Sequence, residues 1–354
     1  MRKKLYNLNL LYVGDYFKGS ISSHRVAFLK KIFKKVHLLN YDNFTKNLTG
    51  IKRKIFFRYP YGNTLEKINF NILETVNKKN IHIVWFDKPI FITKKTIENL
   101  RNQKVFLIDF TVDNPFGERS HPVWHLYKKI INKFHINLVP RKSSVIDYRN
   151  QKCKNVLYYP LAYSRLIHFS PKRKIKQNID ISFTGSPYTN RASVIEELFL
   201  KYNIKVNING NIKFWEKKIS KKVFKKLKIQ NELYDEDYRE KIWKSKINLS
   251  FTSVDNYDEY PERILQIIMS GGFCLHQVLE TDKFNLLKKE HEIETFQNVQ
   301  ELANKIKFYL NNEKKRLVII KNGQQKIKKM KLESDYLLSN FFKKKLKDIL
   351  KISS

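Results

Sequence analysis

A short helix predicted within residues 257–277 places an acid, a cation and an amide on one polar stripe. Glu259, Arg263 and Gln266 follow one another at spacings of four and three residues, which puts their side chains on one helical face. Asp258 adds a second carboxylate beside them. Because the free N–H groups and the macrodipole at a helix N-terminus favour anions, this set can hold ribose hydroxyls and a diphosphate. The competing interpretation is an ordinary helix–strand unit whose polar face is solvated.

The residues at the two ends of this segment favour the start and the end of a helix. Pro261 suits a first helical turn, and Gly271 followed by Gly272 can take the left-handed conformation that ends a helix. Between them lies an apolar body, formed by Ile264, Leu265, Ile267, Ile268 and Met269. The segment is therefore predicted to be a short helix that leads into a buried strand.

A second candidate anion site follows the strand predicted at Ile179–Thr184. Gly185 and Ser186 are expected to form a turn there, and Arg191 to begin a helix. A diphosphate at this turn would meet backbone N–H groups, a hydroxyl and a guanidinium. A strand-to-helix turn without a ligand would also use glycine and serine, but the added arginine favours the binding interpretation.

The loop after the first predicted strand carries polar residues of several kinds. It holds Asp15, Gly19 and Ser20, and the next helix starts with His24 and Arg25. Glycine lets a backbone approach a ligand closely, and His24 is either a base and hydrogen-bond donor or a capping residue. The loop matches neither a P-loop nor the GxGxxG pattern, so no ATP or NAD cradle is predicted.

Acidic residues also follow a later strand of the first half. Asp109 and Asp113 lie in the sequence DFTVDNPFG and are either catalytic or turn formers. If the chemistry needs a base from the first half, as an inverting transfer would, the candidates are His24, Asp15 and Asp113, in that order. The acidic run at 235–237 is explained by helix capping, and no metal site is predicted.

Strands and helices alternate along most of the chain, which predicts parallel, doubly wound sheets flanked by helices. In the first half, strands are expected at 8–13, 36–41, 81–86, 105–109 and 136–139, and helices at 22–33, 94–102 and 123–134. One further helix is expected near 64–77. In the second half, strands are expected at 179–184, 205–209, 247–251 and 273–276, and helices at 191–201, 234–244 and 299–310.

The alternation breaks at residues 158–176, which contain two prolines and a basic run. This break predicts an interdomain connection. We therefore expect an N-terminal Rossmann-like domain at 1–172 and a second Rossmann-like domain at 173–325. A basic helical tail at 326–354 is expected to pack back on the body.

The composition is extreme in charge. The chain of 354 residues has a formal net charge of +37, with 42% hydrophobic residues. Clustered Lys and Arg suggest nucleic acid or an anionic membrane as a partner, because both expose phosphates. A coding sequence rich in A and T would also produce this excess of Lys, Asn and Ile. The apolar content excludes a disordered chain.

The sequence also bears on cellular location. The basic N-terminus precedes an apolar run that two asparagines interrupt, and no apolar stretch approaches the roughly 20 residues of a membrane span. Cys153 and Cys274 match no metal or redox spacing. We expect a cytoplasmic protein, with peripheral contact at the inner membrane face as an option. Residues 215–227 could form an interfacial helix with Trp215 and Leu227 on its apolar face, or pack on the second domain.

The second half resembles the CgeB-like, group 1-related glycosyltransferases. The shared pattern is a strand ending in a Gly-Ser turn before an Arg, a "kInLnf" strand, an Arg-x-x-Glu helix with a Gly stop, and an "EI…F" strand. Its counterparts here are Gly185-Ser186 with Arg191, Lys246 to Phe251, Arg263 with Gly271-Gly272, and Glu292-Ile293 with Phe296. In the first half, Gly19, Ser20 and Arg25 fall where such enzymes have an acceptor loop.

The resemblance implies a GT-B fold, in which two Rossmann-like domains face each other across a cleft. The second domain would hold the donor, a nucleoside diphosphate sugar, and the first would hold the acceptor. Gln266 departs from the pattern, because the family usually has Glu there. In related retaining enzymes two glutamates are separated by seven residues, and the equivalent pair here would be Asp258 and Gln266.

The sequence is therefore interpreted as that of a metal-independent glycosyltransferase with no cofactor beyond its donor substrate. A surface glycan, a lipid-linked molecule or a protein would accept the sugar. Arg191 and Arg263 would neutralise the leaving diphosphate, and Gly185 and Ser186 would offer backbone contacts. Asp258, Glu259 and Gln266 would orient the donor, and Gly271 also belongs to the expected donor site. Two alternatives stay open: a nucleic-acid-binding protein, suggested by the charge, and a catalytically inactive GT-B relative, suggested by Gln266.

Overall fold

Alternating strands and helices build two parallel sheets, one in each of two units of the computed structural model. The structure describes residues 5–117, 122–252, 258–279 and 284–353. The first unit runs up to Pro160 and resumes at Ser334, and the second is Leu161–Glu333. The boundaries expected after residues 172 and 325 both fall inside the second unit.

The first unit contains a parallel sheet in the order β2-β1-β3-β4-β5-β6. Its strands are near-continuous apolar runs because helices cover both faces. In β1, for example, Leu11 and Val13 face one core while Leu10 and Tyr12 face the other. The strands are β1 (Asn9–Gly14), β2 (Lys35–Asn40), β3 (Ile83–Asp87), β4 (Phe106–Phe110), β5 (Ile136–Val139) and β6 (Val156–Tyr158).

Helices connect these strands. They are α1 (Ile21–Ile32), α2 (Asp42–Thr45), α3 (Gly50–Arg58), α4 (Gly62–Lys79), α5 (Lys94–Asn102), α6 (His125–Ile130) and α7 (Lys142–Asn150). The single helix expected near 64–77 corresponds to α4, which is a few residues longer. The helix before it, α3, was not predicted. The helix expected at 123–134 is wrong as one element, because 3₁₀ turns at Pro122–Trp124 and Ile131–Lys133 flank α6.

The second unit repeats the same plan with the sheet order β8-β7-β9-β10-β11, again parallel. Its strands are β7 (Ile179–Thr184), β8 (Asn207–Asn209), β9 (Ser245–Ser250), β10 (Cys274–Gln277) and β11 (Glu294–Phe296). Its helices are α8 (Arg191–Tyr202), α9 (Ile212–Glu216), α10 (Lys221–Leu227), α11 (Asp235–Lys244), α12 (Glu262–Met269), α13 (Val299–Asn311) and α14 (Glu313–Met330). The expected α/β fold with two parallel-sheet domains is confirmed.

The C-terminal helix α15 (Ser334–Ser353) belongs to the first unit. Phe341 and Phe342 lie in the core beside β3 and α1, and the ring of Phe342 meets that of Phe33 at 4.9 Å. The tail was expected from residue 326, but α14 runs through that position, and the helix that packs on the first unit begins at Ser334.

The interfacial helix considered for residues 215–227 is wrong. Two helices, α9 and α10, replace it, and the apolar residues Trp215, Ile219, Val223 and Leu227 are buried in the core of the second unit. Their burial removes the apolar face that would enter a bilayer. Across the described residues, none of the helices is long and apolar enough to span a membrane.

One glycine in α14 gives a stability test. An added Cβ at Gly323 would overlap the carbonyl oxygen of Glu292. Replacing glycine by alanine inside a helix usually stabilises by about 1 kcal/mol. At Gly323 the overlap should reverse this sign, so we expect Gly323→Ala to lower the midpoint of thermal unfolding, with an overpacking cost of about 1–3 kcal/mol. Gln325→Ala on the exposed face is the matched control. A Gly323→Ala protein as stable as wild type would contradict the packing.

Asp109 gives a pH test in the first unit. Its carboxylate is fully buried and accepts hydrogen bonds from Thr111, Tyr127 and Asn137 at 2.9, 2.6 and 3.0 Å. Burial nevertheless raises the pKa of Asp109 from 3.8 to about 6, so the folded state holds the proton more tightly than the unfolded state.

The stabilisation from protonated Asp109 is complete below the pKa that this carboxyl has in the unfolded state. It is lost as the pH rises through the pKa of Asp109 in the folded state. Between about pH 4 and pH 6, it should fall by about 3 kcal/mol, since one pKa unit corresponds to 1.36 kcal/mol. The Asp109→Asn variant lacks this dependence. Chemical denaturation at several pH values in that range should therefore show that the free energy of unfolding changes with pH differently in the two proteins. If the free energies of both proteins changed with pH in parallel, the pKa shift would be contradicted.

Candidate functional site

The second sheet has one place where its strand order reverses. β7 is followed in sequence by β8 on one side, and then the chain crosses to β9 on the other. Ligands of open α/β sheets bind outside the carboxyl ends of the strands at such a switch point. The Gly185 turn follows β7, and the segment leading to α12 follows β9, so both predicted anion sites lie at this edge.

The turn after β7 is held by its own backbone. Gly185 has φ 155°, its N–H donates to the carbonyl oxygen of Asn209 at 2.8 Å, and its carbonyl oxygen accepts from Trp215 Nε1 at 3.0 Å. Gly210 lies against it, since a Cβ there would overlap the Gly185 oxygen. The Gly185 N–H, expected to face a phosphate, is thus used within the scaffold. Trp215 and Gly210 carry no sequence signal for this role.

Arg191 begins α8 directly above this turn. Its NH1 donates to the carbonyl oxygen of Ser186 at 3.3 Å, and its guanidinium lies 6.0 Å from the ring centroid of Tyr188. The Nε atom of Arg191 is buried and has no hydrogen-bond partner among the residues that the structure describes. Burial, together with the positive charge of Arg263, lowers the pKa of Arg191 to about 10. Arg191 stays charged at neutral pH with unused hydrogen-bonding capacity.

Arg263 lies in the first turn of α12, as the sequence predicts. Its guanidinium stacks 4.9 Å from the ring centroid of Tyr238, which fixes the side chain from one side. Pro261 occupies the N-cap position and supplies no side-chain cap to the helix N–H groups. Within the described part of the chain, neither Arg191 nor Arg263 lies within ion-pair distance of a carboxylate. Two partly buried cations therefore share this edge of the sheet.

Gln266 has a specific partner that the sequence interpretation missed. Its side-chain NH₂ donates to Glu262 Oε1 at 2.8 Å. The expected pair was Asp258 with Gln266, and Asp258 and Glu259 lie half-buried just before α12. The signal for Glu262 was its i,i+4 spacing from Gln266. Glu262 thus brings a carboxylate into contact with residue 266, where the resemblance implies a glutamate. Tyr257 lies outside the described residues.

Gly271 ends α12 with φ 83°, and its N–H donates to the carbonyl oxygen of Ile268 at 2.9 Å. A Cβ at this position would lie 3.0 Å from Ser170 Oγ, and at Gly272 it would overlap the side chain of Ile242. Gly271 is therefore placed as a helix stop packed on the 161–171 segment, and it is a structural neighbour of the site.

In the first unit, the polar residues predicted in the loop after β1 lie at the N-terminus of α1. Gly19 has φ 85°, and Ser20 is the N-cap of α1, where its Oγ accepts from the N–H of Ser23 at 3.1 Å. His24 is half-buried in the first turn. The hydroxyl of Ser20 therefore has a capping role.

Arg25 is only 7% exposed and forms an ion pair with Asp87. Its NH1 also donates to Tyr12 Oη at 3.0 Å, and its guanidinium lies 4.2 Å from the ring centroid of Phe110. The expectation that Arg25 belongs to an acceptor loop is corrected, because its charge is neutralised inside the first unit.

The two acidic candidates for a base, Asp15 and Asp113, follow the carboxyl ends of β1 and β4. Asp113 Oδ2 accepts from Lys88 Nζ at 2.5 Å, and both side chains are 40% exposed. Asp15 keeps exposed surface, yet desolvation raises the pKa of its carboxyl. The Lys88 ammonium opposes this rise, and the Asp87 carboxylate adds to it. Asp15 and Asp113 thus share Lys88 as a neighbour. Among the described residues, no group of three metal-ligating side chains is present.

Comparison with known proteins gives one family match. The family described as glycosyl transferase-like matches residues 191–332, which include α8, α12 and both arginines of the site. This match lies within the second unit and agrees with the enzyme class that the sequence predicts, a glycosyltransferase. Comparison with curated protein sequences finds no match.

Solved structures share the fold. HepE from Anabaena, in complex with UDP, is 10% identical with a TM-score of 0.64, over 95% of this chain and 99% of that chain. TarM is 17% identical with a TM-score of 0.58, over 80% of this chain, and the chain spans only 58% of the TarM length. The pneumococcal O-GlcNAc transferase GtfA, in complex with UDP and GlcNAc, is 9% identical with a TM-score of 0.55, over 79% and 60% of the two chains. The predicted GT-B fold class is confirmed.

The Glu262–Gln266 contact gives a testable coupling. Gln266→Glu would place two carboxylates in contact, and their repulsion should lower the free energy of unfolding. Adding Glu262→Gln restores an amide–carboxylate pair with the roles exchanged. We expect the double variant to recover stability, with a coupling energy of about 0.5–3 kcal/mol in a double-mutant cycle followed by denaturation. Gln325→Glu on exposed α14 controls for added charge. Additive single effects would contradict the contact.

Proposed function

We propose that the protein transfers a sugar from a nucleoside diphosphate sugar to an acceptor hydroxyl, with the donor bound at the carboxyl edge of the second sheet. One observation carries this proposal. Arg191 and Arg263 are partly buried, lie close enough to repel each other, and have no carboxylate partner among the described residues. A diphosphate would supply the missing negative charge, and the unpartnered Arg191 Nε could donate to it.

These residues would act at the step where charge develops. As the bond between the sugar carbon and the diphosphate oxygen breaks, the electron pair stays on the leaving diphosphate. Arg191 and Arg263 would stabilise that charge from fixed positions, without a metal ion. The acceptor oxygen forms the new bond to the sugar carbon and loses its proton.

The donor ribose would be oriented by the Glu262–Gln266 pair. Since the amide NH₂ of Gln266 is bound to Glu262, its Oε1 remains available to accept from a hydroxyl. Glu262 supplies a carboxylate in contact with Gln266, the position at which the resemblance implies a glutamate. This pair argues for an active enzyme over an inactive GT-B relative. Asp258 and Glu259 would complete the polar end of α12.

A proton acceptor is required if the reaction inverts the sugar carbon. We propose Asp15 as that base, ahead of His24 and Asp113. Asp15 is exposed and its raised carboxyl pKa brings it nearer the operating range of a general base, whereas the Asp113 carboxylate is paired with Lys88.

The ordered motifs of the second unit support a CgeB-like enzyme, and the UDP complexes of HepE and GtfA support a UDP-sugar as the donor. The complex of S. aureus TarM with UDP and alpha-GlcNAc-glycerol is consistent with this choice. A glycan, a lipid-linked molecule or a protein would accept the sugar.

Thermal unfolding with a panel of UDP-, GDP- and ADP-sugars tests the donor site. A donor present at 100 times its Kd should stabilise the protein by about 2.7 kcal/mol, and we expect a UDP-sugar to do so. Arg191→Gln and Arg263→Gln should each weaken this binding at least about tenfold, because a charge-assisted hydrogen bond contributes about 1.5–3 kcal/mol. Both variants should lose sugar transfer.

Arg173→Gln is the matched control, since Arg173 is an exposed arginine of the same unit. It should keep wild-type protection. Protection of wild type by no sugar nucleotide, or equal protection of all three variants, would contradict the proposed donor site.

A further inference from the structure

The strongest feature outside the donor site is a dense group of lysines on α9 and α10. We define the lysine patch as the exposed lysines between Lys213 and Lys228. The 16 residues from 213 to 228 contain eight lysines and one acid, Glu216, and all eight lysines are exposed. Their net charge of +7 is several times denser than the +37 spread over 354 residues. Composition alone therefore does not account for the patch.

Within the described residues, none of the patch lysines lies within ion-pair distance of a carboxylate. Glu196 of α8 approaches the start of α10, but its Oε1 accepts from the backbone N–H of Ser220 at 2.9 Å. The patch thus presents a positive surface whose charges are open to an external anion.

The structure also limits how this surface can bind. Trp215 and Val223 are fully buried on the inner side of the two helices, so no apolar face is left to insert into a bilayer. Any binding must come from the charges and must weaken with salt. The patch has no arginine, the side chain that recognises individual phosphates through a rigid fork. Flexible lysines suit a diffuse field of anions better than a defined groove.

The patch adjoins the donor site within the same unit. Trp215 of α9 donates its indole N–H to the Gly185 oxygen, and Phe214 of α9 meets the exposed ring of Tyr188 at 5.3 Å. Tyr188 in turn lies beside Arg191. A surface bound by the lysine patch would therefore lie next to the edge of the sheet where the donor is proposed to bind.

We propose that the lysine patch docks the second unit onto the anionic phospholipid surface of a membrane, by electrostatic attraction and without insertion. Each lysine near such a surface contributes about 1 kcal/mol, so several together give measurable binding. Docking goes beyond sugar transfer, and it can be measured without a sugar nucleotide or an acceptor.

Co-sedimentation with vesicles tests the docking. The probes are vesicles of phosphatidylcholine alone and of phosphatidylcholine with phosphatidylglycerol, at low and high salt. We expect the wild-type protein to bind only the phosphatidylglycerol vesicles, and only at low salt. Replacing Lys221, Lys222, Lys225 and Lys226 by Glu should lower the partition coefficient on the order of a hundredfold or more.

The matched control replaces four exposed lysines of α14 by Glu, namely Lys321, Lys326, Lys328 and Lys329. It has the same net charge as the patch variant and should keep most of the vesicle binding. A second patch variant with Gln at the same four positions avoids introducing acids near the end of α10. Circular dichroism and thermal unfolding check that each variant is folded.

Three outcomes would overturn the proposal. Wild type could fail to bind phosphatidylglycerol vesicles, or the control could lose binding as much as the patch variants do, which would make total charge the cause. The patch variants could also keep vesicle binding but lose binding to soluble polyphosphate or to a nucleic acid. That result would assign the patch to a polyanion instead of a membrane.

Discussion

Two guanidinium groups lie near each other in the second unit, and no carboxylate that the structure describes lies within ion-pair distance of either. Arg191 loses hydration on burial and is repelled by Arg263, and both effects lower its pKa. Proteins usually pair partly buried charges, so an unpaired couple costs stability unless an anion joins it. The fold bears this cost at the edge where open α/β sheets bind ligands. This like-charge couple is where we propose that the donor diphosphate binds and supplies the missing negative charge.

The scaffold explains how the two arginines stay in place. The sheet reverses its strand order between β7 and β9, which brings the starts of α8 and α12 to one edge. Trp215 and Asn209 fix the Gly185 turn by hydrogen bonds, and Gly210 leaves room for the turn oxygen. Tyr238 supports Arg263 through its ring. Rigid supports of this kind keep a charged site organised before its ligand binds.

The sequence predicted the parts of the site that depend on local patterns. Alternating apolar runs indicated two parallel sheets, and the Arg263 helix with its Gly271 stop was predicted close to its observed bounds. Contacts between distant residues were not predictable. The burial of Arg25 against Asp87 spans 62 residues, and the contact of Trp215 with Gly185 spans 30. The interfacial helix failed for the same reason, since an amphipathic pattern shows that a face is buried but not what buries it.

Hydrogen exchange of backbone amides tests the central claim most directly. Exchange is compared with and without a saturating UDP-sugar, and the peptides that slow down report where the nucleotide binds. The account predicts slower exchange in peptides that cover residues 184–192 and 258–266, at the starts of α8 and α12. Slower exchange confined to other segments, with these two unchanged while the sugar nucleotide is bound, would contradict it.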